Sequence, residues 1–224
     1  MIKFLDILKE NDDNIFIPRG SKEEKDKVLI RRTNDKIQEY VKNGSEGRLM
    51  LTGSLIRFLP KNLTRVGGNF YLLFSQIEKL PDNLIVNGYL WLDGCKNLKS
   101  LPNGLKVKYN LDLRDTNITF LPSDLEVGGS LILIRSQIEK LPDNLTVNRT
   151  LDLEGCKNLK SLPNGLKVKG DLDLRDTNIT SLPSDLEVGD VLILYRTPIA
   201  RMHTEKQIME MVPKVERSIF LSPW

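Results

Sequence analysis

The side chains best able to do chemistry are few and far apart. The chain has one histidine, His203, and two cysteines, Cys95 and Cys156. A nucleophilic site needs a base within hydrogen-bond reach of a Ser or Cys, held in place by a third group. No such Ser-His-Asp or Cys-His set can be assembled around His203. Two cysteines and one histidine are also too few for a metal centre built on those ligands. Carboxylates are more numerous, but they recur at a fixed offset: Asp82 with Asp143, Asp115 with Asp176, Asp124 with Asp185. Such recurrence marks turn residues rather than an acid–base pair. Gly67-Gly68 and Gly128-Gly129 lack the spacing of a phosphate loop and stand where the chain turns into a strand. No catalytic residue, metal or cofactor is expected, and the chain reads as a non-enzyme.

The elements that would position any working residue are set by a repeat. Seven Leu-Pro steps, at Leu59, Leu80, Leu101, Leu121, Leu141, Leu162 and Leu182, recur every 20 or 21 residues. Each opens a near-copy of LPSDLEVGGSLILIRSQIEK, a period that marks a stacked array. In one unit the apolar slots are Leu111, Leu113, Ile118, Leu121, Leu125 and Val127; in the next they are Leu131, Leu133, Ile138, Leu141, Leu145 and Val147. Leu111 and Leu113 alternate with Asp112 and Arg114, the period-2 signature of a half-buried strand. The rest of the unit is too short and too rich in Pro, Gly and Asn for a standard helix, so an extended or tightly turned return path is expected. One unit buries too little apolar surface to offset the entropy of ordering it. Stacking solves this, and a right-handed solenoid with a parallel sheet on one face follows.

The pattern L-x-L-x-x-[N/C/S/T]-x-[I/L], as in LDLRDTNI from Leu111 and LWLDGCKNL from Leu90, runs in register from about 49 to 199. In this the chain resembles leucine-rich-repeat proteins. Its short unit and Leu-Pro step are most similar to the bacterial and phage members. The resemblance implies an α/β repeat fold: a solenoid with a parallel concave β-sheet, an irregular convex side and capped ends. Where the family often has a turn Asn, this chain has Ser54, Ser75, Cys95, Thr116, Ser136, Cys156, Thr177 and Thr197. A hydroxyl and thiol ladder bonding the backbone of neighbouring turns is expected there. Cys95 and Cys156 fall three rungs apart, on the order of 14 Å. That exceeds the roughly 7 Å a disulfide tolerates, so both thiols should stay reduced and buried. Some secreted bacterial relatives carry a ubiquitin-ligase domain after the repeats, and the 25 or so residues beyond Ile199 leave no room for one.

Residues 1–48 lack the repeat and read as a helical N-terminal cap. Ser21-Lys22-Glu23-Glu24 has the form of a capping box, Ile30, Ile37 and Val41 share a helical face, and Asn43-Gly44 can end the helix. Residues 200–224 read as a short C-terminal cap. There Thr204-Glu205-Lys206-Gln207 starts a helix through Ile208, Met211 and Val212, Pro213 stops it, and 218–221 form a last strand. With 224 residues and a formal charge of +3, one elongated domain is expected, monomeric when alone. No apolar run is long enough to span a membrane, and Met1-Ile2-Lys3-Phe4-Leu5-Asp6 meets charge too early for a secretory signal. A cytoplasmic location without membrane attachment follows as the expectation.

A longer period points to the working face. Residues 76–136 align without gaps onto 137–197, an offset of 137 − 76 = 61, with about four in five positions identical. Nine pairs fall on exposed strand positions: Tyr89, Trp91, Asp93, Asn110, Asp112, Arg114, Ser130, Ile132 and Ile134 in the first copy. Their counterparts are Thr150, Asp152, Glu154, Asp171, Asp173, Arg175, Val191, Ile193 and Tyr195, and six of the nine pairs differ. The other 52 positions hold only six differences, so divergence gathers on the open face. One column there reads Met50, Tyr71, Trp91, Asp112, Ile132, Asp152, Asp173, Ile193; its neighbour reads Thr52, Leu73, Asp93, Arg114, Ile134, Glu154, Arg175, Tyr195. Tyr71, Leu73, Tyr89 and Trp91 cluster on adjacent rungs with Phe74 beside them, a composition enriched at binding hot spots. Beyond them the face turns acidic through Asp152, Glu154, Asp171 and Asp173, with Arg114 and Arg175 neutralising part.

These columns suggest a noncatalytic protein-binding module, taking a partner with an apolar knob and a basic flank. The family resemblance adds a phage or bacterial factor that inhibits a host-cell protein. One alternative is nucleic-acid binding through Lys96, Lys99, Lys106 and Lys108, repeated as Lys157, Lys160, Lys167 and Lys169. Interleaved acidic turn residues and the small net charge disfavour it. A second alternative is an accessory subunit that positions a catalytic partner.

Overall fold

Every Leu-x-Leu step folds into a very short strand, and the strands stack in parallel. The computed structural model describes residues 21–221. The first part of the expected N-terminal cap, the segment weighed as a signal, and residues 222–224 lie outside them. The front sheet has nine parallel strands: β1 (Leu49–Met50), β3 (Phe70–Tyr71), β5 (Leu90–Trp91), β7 (Leu111–Asp112), β9 (Leu131–Ile132), β11 (Leu151–Asp152), β13 (Leu172–Asp173), β15 (Val191–Ile193) and β17 (Ser218–Phe220). Its bonds run from each rung to the next: the Leu49 N–H donates to the Asn69 carbonyl (2.9 Å) and the Leu51 N–H to that of Tyr71 (2.7 Å).

The return side is more ordered than an irregular path. It carries β2 (Arg65–Val66), β4 (Ile85–Val86), β6 (Lys106–Val107) and β8 (Glu126–Val127) as one parallel ladder. A second ladder holds β10 (Thr146–Val147), β12 (Lys167–Val168), β14 (Glu187–Val188) and β16 (Lys214–Val215). Each is a dipeptide ending in Val turned inward, preceded by a more exposed residue, a Lys or Glu in five of the eight and Arg65, Ile85 or Thr146 in the others. The core lies between front and return sides as continuous columns, for example Leu90, Leu111, Leu131, Leu151 and Leu172, all buried. The molecule is thus a parallel β-solenoid.

The turn after each of the first eight front strands holds one residue with positive φ. Glycine fills it at Gly94 (φ 69°) and Gly155 (φ 70°), but Phe74, Asp115, Arg135, Asp176 and Arg196 adopt it too, at 53–58°. Their neighbours hold them there: the Phe74 N–H donates to the Asp93 carbonyl and the Arg135 N–H to that of Glu154, both at 2.8 Å. The ladder beneath differs from expectation. The thiols do reach the adjacent rung, Cys95 Sγ to the Leu72 carbonyl (2.9 Å) and Cys156 Sγ to that of Leu133 (3.0 Å). The threonine hydroxyls instead bond within their own turn, Thr116 to Leu113 and Thr177 to Leu174 (both 2.7 Å). The shorter Thr side chain meets its own carbonyl three residues back before it can reach across. Both cysteines are free and buried.

Helix α1 (Lys22–Lys42) opens at Ser21 with a reciprocal capping box to Glu24, and its Ile37 is fully buried. The Tyr40 hydroxyl donates to the Ser45 carbonyl (2.7 Å) and accepts from the Gly67 N–H (3.1 Å), tying the helix to the first rungs. At the other end stand two helices rather than one: α2 (Pro198–Met202) and α3 (Glu205–Met211), the latter capped by Thr204 and Gln207. Strand β17 then pairs with β15. No helix among the described residues is long and apolar enough to cross a membrane.

Candidate functional site

Because the first residue of a two-residue front strand is buried, the second faces out. Met50, Tyr71, Trp91, Asp112, Ile132, Asp152, Asp173 and Ile193 therefore stand in register on the open face. Tyr71 and Trp91 stack with ring centroids 4.4 Å apart and planes 19° from parallel. Tyr89, two residues before Trp91 on the same rung, stacks on its indole at 5.2 Å and 14°. The run continues to Tyr109, whose ring lies 5.2 Å from that of Tyr89. Tyr109 is 44% exposed and carries Lys108 Nζ 5.6 Å from its ring centre. It precedes the strand positions read from sequence and was therefore not among the candidates; its one signal was the Tyr109/Gly170 difference between the copies.

Backbone and amide contacts fix the run. Asn69 accepts from the Tyr89 N–H (3.1 Å) and donates to the Tyr71 hydroxyl (3.2 Å). Phe74 sits apart, on the turn beyond the strand and 56% exposed. Its ring lies over Gly94, where a Cβ would come within 2.3 Å of it. Leu73, Ile132, Ile134, Ile193 and Tyr195 are all half-buried on the face, and Arg196 lies over the Tyr195 ring at 4.7 Å.

The charged half corrects one expectation. Asp112 and Asp173 are not open acidic contacts: they are 2% and 5% exposed and each is gripped by the arginine two residues on. Arg114 Nε lies 3.0 Å from both Asp112 carboxylate oxygens, and Arg175 Nε lies 3.0 and 2.8 Å from those of Asp173. An i, i+2 pair on a strand points to the same side, which brings guanidinium and carboxylate together. Arg175 also reaches Glu154 (2.9 Å). Asp152, in register with Asp173, has no arginine of its own; it accepts from the Glu154 N–H (3.1 Å). Burial, followed by the charges of Asp173 and Glu154, pushes its carboxyl up to about 6. Burial and the nearby Asp112 also raise Asp93.

Oxygens of Asp152, Glu154 and Asp173 lie within 4.8 Å of one another, an all-oxygen set of the type that suits a hard cation. The Arg175 guanidinium already neutralises two of the three. The lysine edge is likewise occupied by ion pairs: Lys106 with Glu126 (2.6 Å), Lys167 with Glu187 (3.2 Å), Lys96 with Asp115 and Lys157 with Asp176 (both 3.7 Å).

Fold and face together define a parallel β-solenoid repeat protein with a stacked aromatic run on its front sheet. No protein-family description, curated protein or solved structure matches the chain.

Proposed function

We propose that the chain is a noncatalytic protein-binding module of the leucine-rich-repeat class, and that it takes its partner on the open face of the front sheet. The observation that carries this reading is the run Tyr71, Trp91, Tyr89, Tyr109: four rings held in place by mutual contact and by Asn69. Rigid amphipathic rings lose little entropy on contact and dominate binding energy where a partner excludes water from them. Past the rung of Asp112 and Arg114, the half-buried Ile132 and Ile134 add a second apolar patch beside Asp152 and Glu154. A partner offering an apolar knob beside a basic residue complements this sequence of surfaces. The repeat type supports a phage or bacterial factor whose binding inhibits a host-cell protein, acting in the cytoplasm.

The nucleic-acid reading loses support, since four of its eight lysines, Lys96, Lys106, Lys157 and Lys167, already face carboxylates of neighbouring rungs. The accessory-subunit reading uses the same aromatic face and differs only in what the partner does.

The test is capture from host-cell lysate, followed by affinity measurement with the captured protein. Trp91→Asp copies the residue of the second block. It is expected to weaken affinity about 30-fold or more, as loss of a hot spot of about 2 kcal/mol does, with the circular dichroism spectrum retained. Undiminished affinity with an intact fold would remove the aromatic run from the binding site.

A further inference from the structure

The internal duplication builds one charge contact twice and completes it once. In the second copy, the Glu154 carboxylate meets Arg175 of the next rung at 2.9 Å, while the same guanidinium grips Asp173. Arg135 of the preceding rung lies over Gly155, the residue after Glu154, with its Cγ 3.1 Å from where a Cβ would stand. The backbone of the first copy is the same. Gly94 N–H donates to the Arg114 carbonyl (3.0 Å), as Gly155 N–H does to that of Arg175 (2.8 Å). Phe74 N–H donates to the Asp93 carbonyl as Arg135 N–H does to that of Glu154, both at 2.8 Å. The side chains differ. Counting back 61 residues, Asp93 stands for Glu154, Arg114 for Arg175 and Phe74 for Arg135.

Two of these exchanges leave a cation missing. Asp93 is one methylene shorter than Glu154, and Arg114 bonds Asp112 without reaching it. Where Arg135 lies over Gly155, the Phe74 ring lies over Gly94. Among the described residues, Asp93 is the one open-face carboxylate with neither a hydrogen bond nor an ion pair. Asp112, Asp173 and Glu154 have arginines, and Asp152 and Asp171 accept from the N–H groups of Glu154 and Val191. Asp93 is nevertheless half-buried, which raises its carboxyl, and the charge of Asp112 adds to the effect. Trp91, two residues earlier, is on the same side of the strand. A half-buried carboxylate without its cation thus stands next to two aromatic side chains.

We infer that this place takes an arginine of the partner protein, its guanidinium paired with Asp93 and flanked by Trp91 and Phe74. The inference rests on the reading that the front sheet is the binding face, and it puts the decisive charge contact on the aromatic rungs rather than in the second copy. A guanidinium bonds a carboxylate through two N–H groups and stacks on aromatic rings, whereas an ammonium is a compact, strongly hydrated charge. The chain itself uses arginine at the equivalent place, from Arg175 on one side and Arg135 on the other.

Short random peptides displayed on phage and selected on the whole chain provide the test, with the recovered peptides synthesised for affinity measurement. They are expected to carry an arginine beside an apolar residue. Replacing that arginine by citrulline, which keeps the shape and removes the charge, should weaken binding about tenfold or more. On Asp93→Asn the same replacement should change affinity by less than about twofold. Asp93→Glu is the sharper variant. It keeps the charge but reaches Arg114 as Glu154 reaches Arg175, so it too should lose the preference for arginine over citrulline. Recovered peptides without arginine, or a citrulline penalty that persists in both variants, would overturn the seat at Asp93. If those peptides still fail to bind Trp91→Asp, the aromatic face itself stands. Peptides indifferent to Trp91→Asp would remove the face, and the arginine seat with it.

Discussion

Asp152 is the carboxylate least well served by its surroundings. It stands beside Asp173 on the next rung, and the Arg175 guanidinium there is shared between Asp173 and Glu154. Its folded value near 6 lies above the ordinary carboxylate range, so the folded chain holds this proton more tightly than the unfolded chain. The associated stability is present in full below pH 4 or so and is lost as pH rises through about 6. Asp152→Asn keeps the acceptor for the Glu154 N–H and removes the charge. It should raise stability at pH 7.5 by on the order of 1 kcal/mol once solvent screening is allowed for. Near pH 4 the variant and the parent should unfold at the same denaturant concentration. A gain that persists undiminished at pH 4 would show that charge is not the cause. The sequence made the acidic character of this region plain, but not the pairing. Asp112-Leu-Arg114 and Asp173-Leu-Arg175 read as open selectivity contacts, and only the strand geometry reveals that each arginine clamps its own aspartate. The Thr column misled in the same way, because a hydroxyl's choice between two carbonyls depends on a fraction of an ångström.

At the scale of elements, periodicity carried most of the fold. Alternation in Leu-x-Leu placed the front strands, and the capping boxes at Ser21 and Thr204 mark where α1 and α3 begin. The return strands were harder to read, since Lys-Val and Glu-Val dipeptides hold too little pattern to separate a strand from an extended turn. Tyr109 was missed for a related reason: it lies just ahead of the strand window, and only the stacking on Tyr89 joins it to the face. The glycines beside these strands are packing requirements. Gly128 lies against the preceding rung so tightly that a Cβ would fall 2.1 Å from the Lys108 carbonyl oxygen. That atom belongs to the backbone and cannot swing aside. Gly128→Ala should therefore destabilise by about 2 kcal/mol or more, lowering the thermal midpoint by about 5 °C. An unchanged midpoint in a thermal melt would mean that neighbouring rungs separate without cost.

For the whole molecule, the two 61-residue copies make a modular object. Ser75 is followed by Gln76, and Ser136 by the equivalent Gln137, so residues 76–136 can be removed with the repeat left in phase. Rung energies in a solenoid are local, each unit contacting its neighbours. The shortened chain should fold as a solenoid of fewer rungs, with a strand-rich circular dichroism spectrum, a smaller hydrodynamic radius and a lower thermal midpoint. A chain that elutes as an aggregate or lacks secondary structure would contradict that locality. Without Tyr89, Trp91 and Tyr109, the folded short form should also fail to capture a partner.

The chain has two tryptophans, and one of them is Trp91, clasped between Tyr71 and Tyr89. Rings held at fixed spacing and angle share their electronic transitions, so this cluster should give the protein a distinctive near-ultraviolet dichroism and quench or shift its indole emission. The face thus carries its own chromophore, and occupancy of that surface can be followed by light without attaching any label.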